Sequence, residues 1–448
     1  MRSVPAHLLL TNCGDTSGRS AESAAPVTEV GASRGPIARG SVARVGTATA
    51  LTALCGYAVI YLAARDLAPS GFSIFGVFWG AFGLVTGAAN GLLQETTREV
   101  RAARYVCDVT DLPGADPART HPLRVAAMTG VAAAVVIAAS SPAWSGRVFV
   151  EARCLSVGLL SVGLAGFCLH ATLLGMLAGT DHWARYGALM VTDAIIRVAV
   201  AAATVVLGWG LTGFLWATVV GAVAWLIVLV ASPTARAIAR LRTPGGTATF
   251  LRGAAHSITA AGASAILVMG FPVLLKLTSN ELGAQGGVVI LAVTLTRAPL
   301  LVPLTAMQGN LIAHFVDERS DRLRALLAPA GMIGGIGALG VLAAGVVGPW
   351  LLRVAFGPQY QAGSALLAWL TGAAVAIAML TLTGAATVAA ALHRAYSLGW
   401  VAATVASGLL LLLPLPLQTR TVVSLLCGPL VGIGVHLVAL SRAGRSTG

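Results

Sequence analysis

Long apolar blocks alternate with short polar breaks along this chain. Blocks bounded by charged or Pro/Gly-rich breaks predict twelve helices, at roughly 44–63, 72–94, 124–144, 154–178, 186–208, 212–232, 255–277, 286–314, 327–352, 363–391, 395–416 and 421–440. About 20 apolar residues span a hydrocarbon core of about 30 Å. The pattern therefore predicts an all-α polytopic membrane protein of about twelve transmembrane helices. The eighth and tenth blocks exceed one span and must tilt or protrude.

Composition agrees: 57% of the residues are hydrophobic and 10% charged, against about 25% charged in soluble domains. The formal net charge of +13 raises nucleic-acid binding, but in a membrane protein such charge marks cytoplasmic loops. With the N-terminus inside, the tail (Arg2, Arg19, Arg34, Arg39, Arg44) and the even-numbered loops (Arg98 to Arg124, Arg185, Arg236 to Arg252, Arg319 to Arg324, Arg394) collect most of the basic residues. The odd-numbered loops hold only Arg65, Arg147, Arg153, Lys276, Arg353 and Arg420. Both termini are thus expected in the cytoplasm. Trp144, Trp209 and Trp350 fall at predicted outer helix ends, where an interfacial aromatic belt places them. Residues 1–42 carry no cleavable apolar core and read as a disordered cytoplasmic tail. The six cysteines form no C-x-x-C and imply neither a zinc site nor a disulfide framework.

The chain also repeats itself. "AANGLLQETTREVR" closes helix 2 and "AMQGNLIAHFVDER" closes helix 8. In an ungapped alignment Ala88 meets Ala306, Gly91 meets Gly309, Glu99 meets Asp317 and Arg101 meets Arg319. Both copies lie at inner helix ends, so the repeats run parallel. This divides the chain into an N-lobe (43–233), a basic cytoplasmic linker (234–254), a C-lobe (255–441) and a tail (442–448). Parallel six-helix repeats are a transporter architecture with the site between the lobes.

Four segments carry a family resemblance: "LAARDLAPSGFSIFGVFW" (Leu62 to Trp79), "GMLAGTDHWARYGALMVTDAIIR" (Gly175 to Arg197), "LTRAPLLVPLTAMQGNLIAHFV" (Leu295 to Val316) and "LLRVAFGPQY" (Leu351 to Tyr360). In order and spacing they resemble the MOP flippase superfamily, and within it the Wzx-like polysaccharide-biosynthesis membrane proteins. Ala68 stands where that branch usually has glycine, and Thr180-Asp181 replaces a basic turn. The resemblance implies a MATE/MOP-like V-shaped pair of bundles that opens alternately to each side. It also implies lipid-linked saccharides or related amphipaths as substrates.

Few charges fall inside the predicted spans. Asp193 and Arg197, four residues apart, share one helix face. They read either as a neutralised pair locking helix 5, or as a cavity pair in which Arg197 meets phosphate and Asp193 tunes it or takes up a proton. Arg297 has no acidic partner on its own helix and is followed by Pro299 and Pro303, which are expected to bend it. It is the leading substrate contact, because the planar fork of arginine suits phosphate oxygens. Its alternative is an interhelical pair, with Asp193 for example. Gln308 is a further cavity candidate, as hydrogen-bonding partner of a saccharide or as polar glue between helices. Pro272 is expected to break helix 7, with Lys276, the only lysine, as a snorkelling anchor beyond it. His170, His256, His314 and His436 are expected to pack between helices.

No nucleotide-binding, metalloprotease or triad motif is present, so no catalytic residue, metal or cofactor is assigned. The expected function is an alternating-access flippase for a lipid-linked oligosaccharide or similar envelope precursor in the plasma membrane. Its expected partners are lipids and a polysaccharide polymerase or glycosyltransferases, not nucleic acid. Two rivals predict otherwise: a cation-coupled multidrug exporter, and a non-transporting scaffold of a polysaccharide-synthesis complex.

Overall fold

The computed structural model describes residues 39–106, 119–317 and 322–445. Most of the tail expected over 1–42, together with Cys13, Cys107 and Arg319, lies outside them. The first half comprises α1 (Arg39–Asp66), α2 (Pro69–Val106), the short strand β1 (Arg119–Thr120), α3 (Pro122–Val148), α4 (Arg153–Gly179), α5 (Trp183–Leu207), α6 (Gly210–Val220) and α7 (Ala224–Ala231). A 3₁₀ turn, Gly221–Val223, joins α6 to α7. The connection holds α8 (Pro233–Ala239) and β2 (Thr243–Pro244). The second half comprises α9 (Thr247–Val268), α10 (Phe271–Leu277), α11 (Gly283–Asp317), α12 (Arg322–Ala325), α13 (Leu327–Val346), α14 (Gly348–Phe356), α15 (Ser364–Ala389), α16 (His393–Leu410) and α17 (Leu417–Arg445).

Ten of the described helices are long and apolar enough to cross a membrane, or eleven if the bent pair α9–α10 counts as one span. The expected span left over, the eleventh at 395–416, is α16, which stops at Leu410, short of Pro414 and Pro416, and opens on His393 and Arg394. It is helical over most of the expected stretch but is not among the helices apolar enough to cross a membrane. Every backbone group inside hydrocarbon must be satisfied within its own helix, so apolar blocks of this length fold as helices.

One end of the bundle, hereafter the near end, holds the α2–α3, α4–α5 and α8–α9 connections. Arg101 pairs with Asp181 there at 3.2 Å. Arg185 donates to the Ser232 hydroxyl, which also caps α8 by accepting from Ala235 N. β1 and β2 pair antiparallel, and Thr120 Oγ1 donates to Gly245 O at 2.8 Å. The stretch read as a basic linker, 234–254, holds most of α8, β2 and the first turns of α9, with β2 tied to the α2–α3 connection.

Two seams join the halves, and they differ. Along the first, α2 lays Gly76, Gly80, Gly83, Gly87 and Gly91 against α9, α10 and the start of α11. A Cβ on Gly87 would sit 2.6 Å from the Ala265 methyl, and one on Gly91 would meet the backbone of Ser257 and Ile258. Lipid tails are as apolar as leucine, so close backbone approach at small residues is a main source of helix affinity in a bilayer. Along the second seam, the far end of α1 and the turn after it meet the second half. Tyr61 packs on Phe356 (5.6 Å), and Leu67 O accepts from the Tyr360 hydroxyl at 3.2 Å. A Cβ on Gly46 or Gly56 would meet nothing within 4 Å. The halves are therefore packed closely along α2, and at the far end α1 and its following turn also join the second half.

Candidate functional site

Three cationic stations line the interior. In the first half, Asp193 and Arg197 occupy one face of α5. Arg197 donates to Asp193 Oδ1 from Nε (3.2 Å) and Nη2 (3.1 Å), and from Nη1 to Thr218 O (2.8 Å). That carbonyl lies just before the 3₁₀ turn, where the regular helix ladder is interrupted. Gly221 leaves the space, since a Cβ there would collide with both side chains. The guanidinium also lies 5.4 Å from the Phe82 ring. All three nitrogens of Arg197 are engaged within the first half, which is the geometry of a locking pair. From α4, the buried ring of His170 stacks on Phe167 and lies in electrostatic range of both charges. Its Nδ1 has no partner among the described residues.

The second station is Arg297 on α11, 7% exposed. The helices α9 and α10 meet at 67°, with Pro272 in the first turn of α10. In a straight helix Val268 O would accept from residue 272, but proline has no N–H. Arg297 Nη1 fills the gap, donating to Val268 O (3.1 Å) and Leu267 O (3.4 Å), and its guanidinium lies 5.4 Å from the Phe271 ring. Its Nη2 has no hydrogen-bond partner, and no carboxylate pairs with it among the described residues. Tyr57 of α1 is its electrostatic neighbour from the other half. Arg297 therefore caps the break in helix 7 and keeps a donor free. The interhelical pair with Asp193 is not made. The helix α11 runs through both Pro299 and Pro303. Gln308 lies in the same helix, with its side chain outside the described set.

Lys276 is the third station, and here the structure corrects the sequence reading. It does not snorkel to the interface. The bend turns α10 onto α2 and α3, leaving Lys276 8% exposed with its ammonium on Asn280 O at 3.0 Å. A second buried acidic residue, beyond the predicted end of helix 2, is not singled out in the sequence. Helix 2 runs on past residue 94, and Glu95, paired with Arg98 at 2.6 Å, packs its buried side chain against Gly253 of α9. The polar run Gln94 to Arg101 hid this, because its charges neutralise one another at i, i+3 spacing.

No family model matches the chain. It is 79% identical over 433 residues to the uncharacterized protein MT3732 of Mycobacterium tuberculosis (strain CDC 1551 / Oshkosh), covering 97% of this chain and 98% of that one. It is 73% identical over 422 residues to the uncharacterized protein Rv1510 of Mycobacterium tuberculosis (strain ATCC 25618 / H37Rv), covering 94% and 96%. The chain belongs to this mycobacterial protein family. Among solved structures, it superposes on an inward-facing multidrug resistance MATE family transporter of the MOP superfamily with a TM-score of 0.67 at 17% identity, covering 91% of this chain and 100% of that one. An outward-facing conformation of such a transporter gives 0.59 at 15% identity, covering 90% and 96%. A MOP superfamily transporter from Pyrococcus furiosus, described by the reverse polarity of its binding pocket, gives 0.61 at 14%, covering 90% and 96%. The fold is that of the MATE/MOP transporters, in a multi-pass membrane protein.

Proposed function

We propose that this protein is an alternating-access flippase that carries an anionic, lipid-linked saccharide precursor from the near side of the membrane to the far side. In this reading the near end is cytoplasmic, as the arginine bias requires, and the membrane is the plasma membrane. The observation that carries the proposal is Arg297: a buried guanidinium facing Tyr57 of the other half, with no carboxylate and no partner for Nη2 among the described residues. Unpaired charge at membrane depth is costly and marks a substrate path. A phosphate-linked head supplies the missing counter-charge and matches the fork. The lipid tail stays in the bilayer. The Wzx-like segments point to the same substrate class, and polymerase or glycosyltransferases are the partners this predicts.

The multidrug reading draws on the resistance transporters that share the fold. It is the weaker one, because Arg297 repels a cationic cargo and the Asp193 carboxylate is spent on Arg197. The experiment is depletion of the protein with tracking of radiolabelled lipid-linked saccharide, complemented by Arg297→Gln. Glutamine keeps an N–H for the helix cap and removes the charge. The expected result is accumulation of inner-leaflet precursor that Arg297→Gln does not relieve. Normal precursor turnover on depletion, or full complementation by Arg297→Gln, overturns the proposal. Drug sensitivity that follows Asp193→Asn instead favours the exporter, and charge variants that are silent in every assay favour the scaffold.

A further inference from the structure

The only lysine of the chain lies at the far end of the interface between the halves, in a protein whose other basic residues are all arginine. Lys276 is 8% exposed and has no carboxylate partner among the described residues. Its one hydrogen bond goes to Asn280 O. It lines a cavity of about 190 Å³ built from both halves: Ser70 and Ser73 of α2 on one side, Lys276 and the α10–α11 turn on the other. Ser73 is itself 4% exposed. Glu281 stands exposed at the rim, out of ion-pair reach of the ammonium. At about 30 Å³ per water the space holds roughly six waters. That is room for a phosphate group.

We propose that Lys276, with the hydroxyls of Ser70 and Ser73, is an anion subsite that takes a phosphate at the far mouth of the transport path. This rests on the flippase reading and extends it. Phe271, under Arg297, and Lys276 sit on the same short helix, five residues or about 7.5 Å of helical rise apart. The broken helix thus links a cation at the bend to a cation at the far end. An ammonium is a compact point charge with rotatable donors, suited to a transient hold, whereas an arginine fork holds bidentately. Glu281 at the rim disfavours lingering of the same anion and promotes its release.

The single lysine makes the test site-specific. The full chain in lipid nanodiscs is acylated with an amine-reactive ester, and labelling of Lys276 is read by peptide mass spectrometry. Three arms receive a polyprenyl diphosphate, inorganic pyrophosphate, or sodium chloride at matched ionic strength. The expected result is about tenfold slower labelling with either diphosphate and no protection by chloride. Protection by the polyprenyl form at far lower concentration identifies the lipid head as its source; equal protection by both identifies free phosphate. Ser70→Ala/Ser73→Ala should weaken protection several-fold without changing labelling in the chloride arm, and Glu281→Gln should strengthen it. Equal labelling in all arms overturns the subsite. So does a Lys276 that never labels, since an ammonium out of reach of the ester is out of reach of the anion. Lipid-linked saccharide flipping by Lys276→Gln at the wild-type rate, with no protection, would refute the subsite and leave the transport reading standing.

Discussion

Arg297 Nη1 donates to Val268 O at 3.1 Å and so closes the hydrogen-bond gap that Pro272 opens four residues later in the neighbouring helix. One guanidinium thereby serves both as the cap of a broken helix and as a free cation between the halves. The two roles separate experimentally. Arg297→Ala strands two carbonyls, each worth about 1–3 kcal/mol when left unsatisfied, and should lower the thermal midpoint in detergent. Arg297→Gln should retain most of that stability. Adding Pro272→Ala to Arg297→Ala should recover part of the loss, because the new N–H can reach Val268 O as the bend relaxes. If the double variant melts no higher than Arg297→Ala, the cap does not act through the missing proline donor.

The Asp193–Arg197 pair should behave as a unit. Removing one member of a buried pair costs about 3–5 kcal/mol, and removing both costs much less. Asp193→Asn and Arg197→Gln should each destabilise the protein strongly. The double variant should lie nearer to wild type in a double-mutant cycle read by thermal melting. Additive losses would show that the pair does not lock helix 5.

The glycine seam makes a position-specific prediction. Gly91→Ala drives a methyl into the Ser257–Ile258 backbone and should cost about 1–3 kcal/mol as overpacking. Gly46→Ala and Gly56→Ala, which face open space on α1, should be neutral or slightly stabilising, as alanine favours helix. Similar melting shifts at all three positions would remove the distinction between the seams.

Closure at the far end depends on the Tyr360 hydroxyl bound to Leu67 O, beside the Phe72 and Phe356 rings. Loss of one such hydrogen bond, about 0.5–1.5 kcal/mol, shifts a two-state equilibrium roughly two- to thirteenfold. Tyr360→Phe should therefore increase labelling of a cysteine introduced at Ser73, 4% exposed here, by an impermeant maleimide, in a background without native cysteines. Unchanged labelling would place the closing contact elsewhere.

Much of the fold was legible because the bilayer imposes one rule on every segment: apolar length makes a helix. The blocks at 154–178 and 186–208, for example, reappear as α4 and α5 with their ends moved by a few residues. The helix 2 and helix 8 repeat was legible too, and α2 and α11 pack with their N-termini together, as Pro69 against Gly287 and Gly76 against Ile290 show. The charges at depth stood out for the same reason, since Asp193, Arg197 and Arg297 interrupt apolar runs. Glu95 did not, because it sits in a polar stretch that reads as a loop until the helix is seen to continue.

The sequence by itself determined the class of the protein, its helices and the residues too costly to lie in lipid without a purpose, because burial in hydrocarbon is decided segment by segment. Only the tertiary structure decided what those residues meet. Whether a charge is neutralised depends on atoms from other helices: Thr218 and Gly221 complete the pair on α5, Val268 receives Arg297, and the bend at Gly270 carries Lys276 inward from the surface. Those contacts join residues 21 to 29 positions apart, as in Arg197 to Thr218 and Arg297 to Val268, and up to 293 apart between Leu67 and Tyr360. No local pattern encodes them, because they exist only once separate helices have packed.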